Sequence, residues 1–286
     1  MHNQDSFPEF YKQNNKLPIR LVSPDFGHLP ATLANTYGLT LRKSYYFFVF
    51  MIQGISHHGV DLQQFEVKEN ELLFILPNQI HRLPASKQGT DYFKLGFDNN
   101  CLSLLPKQYP FLINPFSNQQ IKFDAAAATR LQSIFKNLKE LLGTMDTGHE
   151  LILAHLNSLL TEINAAYFSA DKNPADDKLS KYIQFNQFVE DNFTTQPTIN
   201  DIAQQMGINV NNLYAIVKHY SGMAPKEFIT KRLILEAKRR LYYSESSSIK
   251  ELAYSLGFND PEYFSRLFKK ATGKSIALFV QDLSGN

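Results

Sequence analysis

The chain has 286 residues, 43% of them hydrophobic and 20% charged, with a formal net charge of +2. That is enough sequence for two domains with real cores, and the fractions exclude a disordered, collagenous or disulfide-framed chain. The single cysteine, Cys101, excludes an internal disulfide and a cysteine-based zinc site and is expected to be a buried small hydrophobe.

The first ten residues, MHNQDSFPEF, lack the basic and apolar segments of a signal peptide, and the longest apolar run, Tyr45 to Ile52, is too short to cross a bilayer. A cytoplasmic protein with no membrane partner is expected. Residues 1 to about 120 are rich in short β-prone runs: Tyr45–Ile52, Glu71–Pro77 and Tyr92–Phe97. Gly54, Gly59, Asn70, Asn78 and Gly89 punctuate them as turns. Many short strands with regular breaks predict a small antiparallel barrel, a fold that can hold a ligand in its mouth.

From Asp124 to Leu142 apolar residues recur as Leu131, Ile134, Phe135, Leu138, Leu141 and Leu142, the period of an amphipathic helix capped by Asp124. A second helix is expected from His149 to Phe168, apolar over more than one face. Such a helix must bury more than one side, either against the barrel wall or also against a second copy of the chain. The stretch Asp171 to Asp177, polar and broken by Pro174, reads as a linker.

The C-terminal third opens with a helix over Leu179–Asn192 and then carries a repeat. Ser248-Ile249-Lys250-Glu251-Leu252-Ala253 followed by Gly257 predicts a short helix with a Ser cap, a capping-box Glu and a glycine stop. Asp260 and Pro261 then start a second helix with Phe264, Leu267 and Phe268 inside and Glu262, Ser265, Arg266 and Lys269 outside. Fifty residues earlier, Thr198-Ile199-Asn200-Asp201-Ile202-Ala203 with Gly207 repeats the pattern, and Leu213, Ile216, Val217 and Lys218 correspond to Phe264, Leu267, Phe268 and Lys269. Between the copies, Pro225–Leu241 forms one apolar-striped helix of roughly 25 Å. Two helical hairpins with polar outer faces, spaced by such a helix, suit two recognition helices in successive major grooves, about 34 Å apart. Charge supports this modestly: residues 179–286 hold thirteen Lys and Arg against ten Asp and Glu. Lys231-Arg232, Lys238-Arg239-Arg240 and Lys269-Lys270 are the clusters able to meet phosphate, with about half of these seven expected to face bulk water.

The run Ile249-x-x-Leu252-Ala253-x-x-x-Gly257-Phe258-Asn259-x-x-x-Tyr263-Phe264-Ser265-Arg266-x-Phe268-Lys269-Lys270-x-x-Gly273, preceded by Pro225-x-x-Phe228-Ile229-x-x-Arg232-Leu233-x-x-Ala237, closely resembles the AraC/XylS family of bacterial transcription regulators. The chain departs from that family's pattern at Ile276, where Pro is usual, and at Phe279-Val280, where Tyr-Arg is usual. Glu71–His81 also resembles the second motif of the cupin barrel that such regulators carry, with Gln79 in place of a glycine and the first motif reduced to His57-His58.

The resemblance implies an α+β chain with four parts. These are a cupin-like ligand-sensing barrel over 1–123, a helical hairpin over 124–170 as candidate dimerisation element, a linker over 171–178, and an all-α DNA-binding domain over 179–286 with two helix-turn-helix units joined by a linker helix. It implies a sequence-specific activator-type regulator, not an enzyme, with double-stranded DNA, a small-molecule effector, a second copy of the chain and RNA polymerase as partners. The DNA-binding residues are then Asn209, Asn211, Asn212, Tyr214 and Lys218 in the first unit and Asn259, Glu262, Ser265, Arg266 and Lys269 in the second. Of these, 211, 214 and 262, 265, 266 face bases, together with Ala215. Tyr46, Phe48 and His81 are offered as pocket lining. No cofactor or metal is expected: His57, His58 and His81 lack an acidic co-ligand at cupin spacing and are read as satisfied or surface histidines. Two other readings remain, a regulator whose barrel serves only dimerisation and a metal-dependent cupin enzyme with an appended helical domain.

Overall fold

The computed structural model describes residues 12–28, 40–42, 44–61, 63–82, 89–113, 118–144, 147–168, 177–243 and 248–284. It divides into two compact units, residues 1–173 and 174–286. Most of the expected linker, through residue 176, lies outside the described residues, and Asp177 and Lys178 already begin a helix.

Among the described residues of the first unit nine strands make two antiparallel sheets. One has the order β1 (Ile19–Val22), β8 (Asp91–Phe97), β3 (Tyr46–Gln53), β6 (Glu71–Ile75), β9 (Gln120–Lys122); the other has the order β2 (Thr40–Arg42), β7 (Ile80–Arg82), β4 (Ser56–Val60), β5 (Gln63–Val67). Among the described residues the ladders stop there, so the barrel expected from the sequence stands as two sheets rather than one closed surface. The larger sheet is buried on both faces, which is why its central strand reads as a continuous apolar run. Side chains alternate along a strand. Tyr46, Phe48 and Phe50 on β3, Leu72 and Phe74 on β6 and Phe93, Leu95 and Phe97 on β8 therefore fill one core. Phe47, Val49, Met51, Leu73, Ile75 and Tyr92 fill another with Val60 and Val67 of the smaller sheet.

The first core is closed by a helical pair. After a short helix α1 (Asn99–Ser103), α2 spans Ala125–Gly143 and α3 spans His149–Phe168. Asp124 caps α2, its Oδ1 accepting from the Ala127 N–H at 2.8 Å. Leu131, Phe135, Leu138 and Leu142 of α2 and Ile152, Leu156, Leu159, Leu160 and Ile163 of α3 join the sheet side chains, with Phe135 stacked on Phe50 and Phe93 at 5.8 and 5.0 Å between centroids.

Turns fall at Gly54, Asn70, Asn78 and Gly89, all at positive φ. Gly59, expected as a turn, instead lies inside β4, where a Cβ would come 3.2 Å from Arg82 Cβ; its lack of a side chain serves close strand approach. Gln79 does more than fill a turn. Its Oε1 accepts from the Leu76 N–H at 2.7 Å and its Nε2 donates to Asp61 Oδ2 at 2.7 Å. Gln79 and Gln119 exchange amide bonds at 3.0 and 2.6 Å, and Gln119 Nε2 also donates to the Phe74 carbonyl at 2.7 Å.

The described residues of the second unit form helices and their connections: α4 (Asp177–Asn192), a 3-10 turn at Phe193–Thr195, α5 (Ile199–Gln205), α6 (Val210–Ser221), α7 (Pro225–Tyr242), α8 (Ile249–Ser255), α9 (Pro261–Thr272) and α10 (Ile276–Ser284). Helix α7 is the beam of this unit. Phe228, Ile229, Leu233, Ile234 and Ala237 are buried, and so are Arg232, Glu236 and Arg239. Among the described residues no helix is long and apolar enough to cross a membrane.

Candidate nucleic-acid interface

Each repeat builds a helical hairpin from the same parts. In the first, Thr198 Oγ1 accepts from the Asp201 N–H at 3.2 Å and Asp201 Oδ2 from the Thr198 N–H at 3.1 Å, a complete capping box. In the second, Ser248 Oγ accepts from the Glu251 N–H at 3.1 Å. Helices α5 and α8 then bury equivalent pairs, Ile202 with Ala203 and Leu252 with Ala253, and turn at Gly207 and Gly257 with φ of 64° and 82°. Asn209 caps α6, accepting from the Asn212 N–H at 2.8 Å, and Asp260 caps α9, accepting from the Glu262 and Tyr263 N–H groups at 2.9 and 3.1 Å. Both outer helices stop on a left-handed glycine, Gly222 and Gly273.

The inner faces explain how the outer ones are presented. Helix α6 buries Leu213, Ile216 and Val217, and α9 buries Phe264 and Phe268. Phe258 packs on Phe264 at 5.0 Å and Phe279 of α10 on Phe268 at 5.6 Å, so the aromatic at 279 braces α9 despite the departures around it. With those faces held, Asn211, Asn212, Tyr214, Ala215 and Lys218 lie exposed on α6, and Glu262, Arg266 and Lys269 on α9. Asn259 is exposed in the preceding turn. Two expected site residues carry a structural duty: Asn209 is the cap of α6, and the half-buried Ser265 donates its hydroxyl to the Pro261 carbonyl at 2.8 Å. Arg266 is 66% exposed, with Nη2 3.7 Å from Asp260 Oδ2 and Nη1 3.8 Å from Glu262 Oε2. These are long, solvated pairs that cost little to exchange for another acceptor.

The expectation for the basic clusters needs correction. Arg232 and Arg239 are 5% and 2% exposed and cannot reach a phosphate. Arg232 Nε bonds Glu190 Oε1 at 2.7 Å, its guanidinium lies 4.2 Å from the Phe193 ring centroid, and Glu236 receives Arg232 at 3.4 Å and Arg239 at 3.9 Å. Burial alone would pull the Arg232 pKa down, and the Glu190 and Glu236 carboxylates reverse this and leave it raised. The i, i+4 placement of Glu236 after Arg232 was the available signal for this pairing. Lys231, Lys269 and Lys270 remain exposed.

Nor does the structure bring the three suggested pocket residues together. Tyr46 and Phe48 lie in the core beneath α2 and α3, Phe48 against Phe74, Phe97 and Phe111 and Tyr46 with its hydroxyl on Asn99 Oδ1 at 3.1 Å. His81 belongs to the smaller sheet and rests on Phe47, which faces the opposite way from its neighbours Tyr46 and Phe48. His58 Nδ1 and His81 Nε2 are 3.0 Å apart and both rings are buried, whereas His57 is exposed beside Glu66. Among the described residues no group of three His, Cys, Asp or Glu side chains is placed to hold a metal ion.

Two capped hairpins in tandem, each holding a polar helix face outward, define a helix-turn-helix protein. A family model described as a helix-turn-helix domain matches residues 202–281. The transcriptional activators RhaS of Yersinia pestis (strain Pestoides F) and of Yersinia pseudotuberculosis serotype O:1b are each 28% identical to this chain over 100 residues, 35% of this chain and 36% of theirs. The match thus spans about a third of the curated relatives' length. Among solved structures, ToxT from Vibrio cholerae is similar at 15% identity with a TM-score of 0.44, covering 92% of this chain and 97% of that one. The C-terminal domain of AraT from Geobacillus stearothermophilus is similar at 22% identity with a TM-score of 0.35, covering 38% of this chain and 88% of that one. Over its C-terminal third, then, the chain is similar to helix-turn-helix transcription regulators.

Proposed function

We propose that this chain regulates transcription by binding promoter DNA through both helical hairpins, α6 and α9 entering adjacent major grooves. The observation that carries the reading is the repetition itself: two hairpins with matching caps, matching glycine turns and outward polar faces. Asn211 and Tyr214 on α6 and Glu262, Ser265 and Arg266 on α9 are the base-facing set; Asn212, Lys218, Lys269, the cap Asn209 and the turn residue Asn259 are assigned phosphate or groove-edge contacts. Ala215 is small, so the first unit reads fewer bases than the second. Arg266 pairs with guanine through two N–H groups. The curated relatives are named as transcriptional activators, which favours activation over repression.

The first unit, whose Glu71–His81 stretch resembles a cupin motif, is proposed as a cupin-like sensor of a small molecule that dimerises through α2 and α3 and acts with RNA polymerase at the promoter. Helix α3 leaves Leu151 55% exposed on the side away from its core, which supports a partner there. A second reading, in which the first unit only dimerises, is favoured by the consumption of Tyr46 and Phe48 in core contacts. A thermal-shift screen of the full chain against metabolites separates the two.

The DNA reading is tested with Arg266→Ala on a promoter fragment recovered by genome-wide mapping. A loss of about 1–3 kcal/mol on that fragment, with relaxed preference at one base pair and little change on random DNA, is expected. An equal loss on both DNAs would mean that Arg266 touches only backbone.

A further inference from the structure

Three contacts run between the second hairpin and the linker helix or the approach to the first hairpin. Arg240 near the end of α7 lies 3.1 Å from Glu236 Oε1 through Nε and donates through Nη1 to Ser255 Oγ at 2.8 Å and the Ser255 carbonyl at 3.3 Å. Ser255 ends α8, the first helix of the second hairpin. Glu236 in turn meets Arg232, which holds Glu190 on α4 beside the first hairpin. A continuous polar chain, Glu190–Arg232–Glu236–Arg240–Ser255, therefore runs from one hairpin's support through the linker helix into the other.

The second and third contacts lie at the turn. A Cβ built on Gly257 would sit 1.7 Å from the Thr194 carbonyl oxygen, in the 3-10 turn that leads into the first hairpin. Gln196, held at φ 51°, donates from Nε2 to the Leu256 carbonyl at 3.4 Å. The equivalent glycine of the first repeat, Gly207, has nothing within 4 Å of the same built position. One repeat is thus seated on the approach to the other, and the relation is not reciprocal.

We infer that these contacts fix the angle and separation of α6 and α9, making the chain a reader of half-site spacing, with Arg240 as the positioning residue. This rests on the proposed DNA binding. A hinged pair would tolerate a changed spacing by swivelling; a locked pair must give up one groove. Inserting two base pairs between the half-sites turns the second groove by about 70°, at 10–10.5 bp per turn.

The test uses the full-length chain and the mapped promoter fragment, with zero or two base pairs inserted between its half-sites. Wild type should bind the lengthened site about a hundredfold more weakly, the scale of losing one or two base-reading contacts. Arg240→Ala should shrink that penalty to about tenfold or less while its thermal melt stays cooperative. Should Arg240→Ala fail to fold, Ser255→Ala, which removes only an exposed hydroxyl, should narrow the penalty in the same direction. Equal wild-type binding to both spacings, or an undiminished penalty in the folded variants, would overturn the inference and leave DNA binding intact. Failure of wild type to bind the unaltered fragment would instead remove the DNA-binding reading on which the inference rests.

Discussion

The paired glycines offer a matched experiment, because Gly207 and Gly257 occupy the same position in two copies of one motif. Both need φ > 0, which costs a residue with a Cβ about 1–2 kcal/mol, and at Gly207 that is the whole expense, since a built Cβ touches nothing. At Gly257 the new methyl would overlap the Thr194 carbonyl, 1.7 Å from its oxygen and 2.9 Å from its carbon, and both are backbone atoms. Forcing that separation adds about 1–3 kcal/mol of overpacking. Gly207→Ala should therefore cost about 1–2 and Gly257→Ala about 2–5 kcal/mol. For a domain of this size the shift is about 4 °C per kcal/mol, giving melting temperatures lower by about 4–8 °C and 8–20 °C. Circular dichroism is the suitable probe, as the chain has no tryptophan and the second unit is helical. Equal shifts for the two variants would refute the packing of the second hairpin on Thr194.

Two further outcomes follow from the first unit. Gln79→Gly, which restores the glycine of the cupin motif, should destabilise by about 1–3 kcal/mol in thermal or urea unfolding, because the Leu76 N–H, Asp61 and Gln119 each lose a buried partner; a neutral or stabilising change would show the network to be idle. Burial pushes the Cys101 thiol up to about 12, with nearby Asp98 adding to the shift. A disulfide reagent at pH 8 should therefore leave the native thiol unmodified and label it once the chain is unfolded. Rapid native labelling would place Cys101 at the surface.

How much of this was legible beforehand depended on whether the signal was local. Caps, glycine turns and the three-and-four spacing in Thr198–Gly222 and Ser248–Gly273 act within a few residues, and the repeat doubled every clue. The linker helix shows its apolar stripe but hides its ion pairs: Arg232 resembles part of a solvated basic face until Glu190, from another helix, is brought alongside, and Arg239 is buried near Glu236 of its own helix. The strands were visible, but their pairing was not. Continuous runs such as Tyr45–Ile52 carry no alternation to show which residues share a face, so nothing in the sequence separates Tyr46 and Phe48, which enter one core, from His81, which rests on Phe47 in the other. Gln79 reads locally only as a missing glycine, since its partners Asp61 and Gln119 lie 18 and 40 residues away.

Hydroxyl-radical footprinting of the wild-type chain on a mapped promoter fragment asks most directly whether both hairpins engage one duplex. Two protected stretches on a single face, centred about 10–10.5 bp apart for each bound chain, are expected. One protected stretch per chain, or two on opposite faces of the helix, would contradict tandem reading by α6 and α9.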